Sequence, residues 1–99
     1  MAQVILSERL RDNFDRIFDF LFEHAPETAV DRIKAIIAAL DVLESSPLIG
    51  RPVANGKREL VIATGSSGYL ALYRFVAELD TVFVLAVRSQ RELGFGGPR

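Results

Sequence analysis

Seven side chains in the second half of the chain have the types and spacing to act on an anion: Lys57, Arg58, Arg74, Arg88 and Arg91, interleaved with Tyr69 and Tyr73. Arginine stays protonated and offers five donors, so its part here is to hold negative charge. Arg74 lies inside one apolar run, YLALYRFV, and Arg88 closes another, TVFVLAVR. A guanidinium placed in a strand is costly unless something pairs with it. The internal solution is cross-strand salt bridges, from Arg58 or Arg74 to Glu59 or Glu78. The external one is convergence of all five bases on one site, lined by Tyr69, Tyr73 or Phe95, that meets an anionic partner.

Other chemistries have too few residues to support them. The chain has no cysteine, which removes disulfides, thiolate zinc sites and a cysteine nucleophile. His24 is the single histidine, so a multi-histidine metal site is excluded, and no metal or cofactor is expected. Serines are numerous, but there is no nucleophile elbow and the single histidine lies on the far helix pattern, so they do not read as a hydrolytic triad. GRPVANGK has one residue too many between its glycines for a phosphate loop, and it precedes a strand pattern where a helix would be needed. No apolar run approaches a membrane span and the N-terminus lacks an export signal, so the expectation is a soluble cytoplasmic protein.

The elements that must position these side chains are legible as a helical half followed by a strand half. QVILS is a short strand candidate, and Ser7 is placed to cap the helix pattern ERLRDNFDRIFDFLFEH. In that helix Leu10, Phe14, Ile17, Phe18 and Leu21 share a face opposite Asp12, Asp15, Asp19 and Glu23, with Phe20 and Phe22 on either side of the stripe. Pro26 suits the first turn of a second helix carrying Val30, Ile33, Ile37, Leu40 and Leu43, stopped by Ser45-Ser46-Pro47. The short connection predicts a helical hairpin. PLIGRPVANGK reads as a loop, and three strands follow: Arg58–Ala63, Tyr69–Val76 and Thr81–Arg88. Their short connections predict an antiparallel meander. Alternation puts Tyr69, Ala71, Tyr73 and Phe75 on one face of the middle strand and Leu70, Leu72, Arg74 and Val76 on the other. The 99 residues make one α+β domain with a flexible tail over 94–99. Its halves differ in charge: residues 1–49 hold nine acids against five bases, and residues 50–99 seven bases against four acids.

The pieces SSPLIGRPV, RELVI, SGYLALYRF and VFVLAVRSQRE, in that order, carry P-x-x-G-R-P, R-E-L, G-Y-x-x-L-Y-R and V-R-x-Q-R-E. This combination resembles the RelE/ParE family of bacterial type II toxins, from Leu10 to Phe95. The resemblance implies an N-terminal helical hairpin packed on a small antiparallel β-sheet, and a cognate antitoxin protein that wraps the toxin's groove. It implies one of two activities: poisoning of DNA gyrase by binding, with no chemistry and no direct DNA binding by the toxin alone, or metal-independent cleavage of messenger RNA on the ribosome. In the second, Lys57, Arg58, Arg74, Arg88, Arg91, Tyr69 and Tyr73 would assist 2′-hydroxyl attack and stabilise a phosphorane. Where V-R-H-Q-R-E and a following G-Y are usual, this chain has Ser89 and Phe95. Neither titrates near neutral pH, which favours the gyrase reading. On that reading Arg58, Arg74, Arg88 and Arg91 bind the target, while Phe18, Phe20, Phe22, Tyr73 and Arg74 bind the antitoxin. A non-toxic interaction protein of the same fold stays as a further alternative.

Overall fold

The computed structural model describes residues 1–64 and 67–89 of the chain. Strand β1 (Gln3–Leu6) leads through Ser7 into helix α1 (Glu8–His24), and a four-residue turn leads to α2 (Ala29–Asp41). Ser7 is extended, and its Oγ accepts from the Leu10 N–H at 3.3 Å, so the expected cap is in place. Pro26 lies in the turn before α2, where the Ala29 N–H donates to its carbonyl; the helix begins after Thr28. Past Asp41 the chain tightens into a 3₁₀ turn, Val42–Glu44, before Ser45-Ser46-Pro47 ends it.

Strands β2 (Arg51–Pro52), β3 (Arg58–Thr64), β4 (Ser67–Val76) and β5 (Thr81–Ser89) complete a five-stranded sheet in the order β1-β5-β4-β3-β2. β3, β4 and β5 form the expected antiparallel meander. β1 is the addition: it pairs parallel to β5, Gln3 with Thr81 through Leu6 with Val84, which makes the sheet mixed. The segment expected as a plain loop supplies β2 and a tight turn in which Asn55 and Gly56 both have positive φ, 64° and 72°. Successive left-handed residues are what an Asn-Gly hairpin turn demands, so the β2–β3 hairpin was encoded in that dipeptide.

The two helices cover one face of the sheet. Leu10, Ile17 and Leu21 from α1 and Ala29, Ile36 and Leu40 from α2 meet Ile62, Tyr69, Ala71, Tyr73, Val82, Val84 and Val87. The expected stripes narrow in the process. Phe18 sits 100° round the helix from Ile17 and is 38% exposed, and Val30 and Ile37 are about half exposed, because each helix touches the sheet along a single line. Tyr69, Ala71 and Tyr73 are buried while Leu70, Leu72 and Arg74 stand on the opposite, open face, as alternation required.

Candidate binding groove

On the open face a groove of about 640 Å³ is floored by Leu70, Leu72, Leu85 and Ala86 and rimmed by Ser7, Arg9, Arg51, Lys57, Glu59 and Arg88. Four cations face one carboxylate. Glu59 is itself engaged, accepting from Arg51 Nη2 at 2.9 Å and Nε at 3.2 Å across the β2–β3 pair. That ion pair is exposed on the arginine side and contributes little to stability, so its main effect is to hold Arg51 at the rim. Among the described residues, Lys57 and Arg88 have no protein partner for their charge.

Register decides which of the expected residues reach this groove. The open-face rows are Val61–Leu70–Arg88 and Glu59–Leu72–Ala86, and the core-face row beside them is Arg58–Tyr73–Val84. Arg58 therefore stands on the helix side of the sheet. Its Nη1 donates to the carbonyls of Gly50 at 2.7 Å and Leu48 at 3.2 Å, which ties down the loop. Arg74 is on the open face and exposed, but its Nη2 donates to the Asn55 carbonyl at 2.9 Å, clasping the hairpin turn. The expected bridges to Glu59 and Glu78 are replaced by these carbonyls. Of the five bases, Lys57 and Arg88 meet in the groove, and Arg91 falls outside the described residues, as does Phe95.

Neither tyrosine faces the groove, contrary to the expectation that they line it. Tyr69 is 3% exposed and Tyr73 fully buried, both against the helices. The Tyr73 hydroxyl accepts from the Gly50 N–H at 2.8 Å. A Cβ at Gly50 would lie 2.7 Å from that ring and from the Glu59 carbonyl, so only glycine lets the loop approach this closely. The glycine of P-x-x-G-R-P thus places Arg51 at the rim. Tyr73 therefore offers no surface to a partner.

Phe18, Phe20 and Phe22 are 38%, 45% and 45% exposed on α1, on the far side of the sheet from the groove. Phe18 and Phe22 make an edge-to-face pair at 4.4 Å, and Phe20 stacks on His24 at 4.2 Å. Arg9, Arg51 and Ser7 are groove residues that periodicity did not reveal: Arg9 falls within the helix pattern and Arg51 within the loop.

A helical hairpin on one face of a mixed sheet, with a basic apolar-floored groove on the other, defines a small α+β protein built to present a cationic surface. Residues 4–94 match the family model described as the ParE toxin of the type II toxin–antitoxin system parDE, and the chain belongs to that family. Toxin RelE1 of Caulobacter vibrioides is 36% identical over 73 residues, spanning 74% of this chain and 78% of that relative. The fold is similar to that in the chromosomal ParDE system of P. aeruginosa, with a TM-score of 0.74 and 19% identity over 90% of this chain and 96% of that one. It is also similar to the RelBE2 complex of Mycobacterium tuberculosis, with a TM-score of 0.58 and 22% identity over 90% and 98% of the two chains. Among the described residues no helix is long and apolar enough to cross a membrane, and no cluster of ligating side chains could hold a metal ion.

Proposed function

We propose that this toxin acts in the cytoplasm by binding DNA gyrase through the open-face groove, and that a cognate antitoxin silences it by covering the same groove. One observation carries the reading: the groove is rich in cations and poor in groups that exchange protons. Arg9, Arg51 and Arg88 offer donors and no acceptor, Glu59 is held by Arg51, and both tyrosines are buried on the other side of the sheet. Lys57 is left as the one candidate acid or base among the described residues of the rim. Such a set can neutralise an acidic surface, whereas RNA cleavage needs a base and an acid placed on opposite sides of a phosphate. An antitoxin segment for this groove would be extended, with apolar residues for Leu70, Leu72 and Leu85 and carboxylates for Lys57 and Arg88.

The test is a gyrase supercoiling assay with the purified toxin, run beside a ribosome-dependent messenger RNA cleavage assay on the same preparation. Loss of supercoiling with linear DNA accumulating and message intact is the expected result. Cut message with normal supercoiling would overturn the proposal and make Lys57 a proton-transfer group.

A further inference from the structure

Strict alternation along β5 would put Arg88 on the wrong face. Val82 and Val84 are fully buried against the helices, and counting by twos from them leads through Ala86 to Arg88. The register shows what intervenes: Tyr73 pairs with Val84 and Leu72 with Ala86, so Leu85 is an extra residue with no partner on β4. This β-bulge reverses the parity of the strand. Past it Val87 is the buried residue, at 1% exposure, and Arg88 turns out opposite Leu70.

A bulge leaves backbone groups that the ladder no longer serves, and here β1 ends just before them, its last pair being Leu6 with Val84. The start of α1 takes its place. The Ser7 N–H donates to the Val84 carbonyl at 3.1 Å, and Ser7 Oγ donates to the Leu85 carbonyl at 3.1 Å while accepting from Leu10. One turn and a half further on, Asn13 Oδ1 accepts from the Val87 N–H at 3.0 Å. Asn13 is only 9% exposed and lies in the apolar stripe of α1, a position where its amide is costly without this bond.

We infer that Ser7 and Asn13 are positioning residues for the groove: by satisfying the bulge at Leu85 from the helix side, they fix Arg88 on the binding face. This rests on the groove reading above for its consequence, but not for its geometry. In wild-type protein, NMR should give Arg88 side-chain to Leu70 methyl cross-peaks and a slowly exchanging Val87 amide. Asn13→Leu keeps the side chain's size and removes the acceptor. It should lose those cross-peaks, speed Val87 exchange and weaken binding of a fluorescein-labelled octaglutamate peptide about tenfold. If Asn13→Leu does not fold, Ser7→Ala carries the same test at the Leu85 carbonyl. A folded variant that keeps the Arg88–Leu70 cross-peaks and its affinity would overturn the positioning role. Arg88→Ala binding octaglutamate as well as wild type would instead overturn the groove reading, leaving the cross-peaks to judge the bulge.

Discussion

Arg74 and Arg88 have the same residue type, stand on the same face of the sheet and do different jobs. Arg74 donates to the carbonyl of Asn55 and fastens a turn, whereas Arg88 faces the groove with its charge unneutralised among the described residues. Side-chain identity could not separate them, because a guanidinium can donate to a backbone carbonyl as well as to a carboxylate. Tyr73 makes the same point from the other side. Its hydroxyl looked like a proton donor, yet it accepts from the Gly50 N–H in a fully buried position. Tyr73→Phe should leave that N–H unsatisfied and cost about 2 kcal/mol, or about 10 °C in Tm, measured by thermal and urea unfolding. Toxicity at a temperature where the variant is folded should be unchanged; a loss there would return Tyr73 to the chemistry.

At the scale of elements, the local signals worked where the cause was local. Ser7 caps α1, Asn55-Gly56 makes a hairpin turn, and Ser45-Ser46-Pro47 ends the second helical run. Signals failed where a partner decided the outcome. QVILS was legible as a strand, but not its parallel pairing with β5, since the partner lies more than 70 residues away. The wide apolar arc of α1 was equally legible, but only packing shows that Leu10, Ile17 and Leu21 use it while Phe18, Phe20 and Phe22 stay exposed. Those phenylalanines stand on the helix side of the sheet and the groove on the other, so an antitoxin that meets both must reach round the sheet. Phe22→Asp should therefore fold, losing about 1 kcal/mol with the Phe18 ring pair, and should weaken antitoxin binding in a titration calorimetry experiment. Insoluble protein would mean that this ring is structural.

Over the whole molecule the charge asymmetry of the chain becomes an asymmetry of surfaces. Asp12, Asp15, Asp19 and Glu23 are exposed on α1 over one face of the sheet, and Arg9, Arg51, Lys57 and Arg88 surround the groove on the other. A polar distribution of this kind orients an approaching acidic partner and makes association sensitive to salt. The double variant Lys57→Ala/Arg88→Ala should lose at least about tenfold in growth arrest and flatten the salt dependence of target binding. Its Tm should be near that of wild type, because neither charge is paired; undiminished arrest would move the binding surface elsewhere. Periodicity, turn chemistry and composition are enough to specify the α+β class, the helical hairpin, the meander and the excess of bases in the second half. Which bases face the groove together depends on contacts between distant parts of the chain. One unpaired residue, Leu85, reverses the alternation of β5, and the face on which Arg88 stands depends on hydrogen bonds from Ser7 and Asn13, more than seventy positions away in the chain.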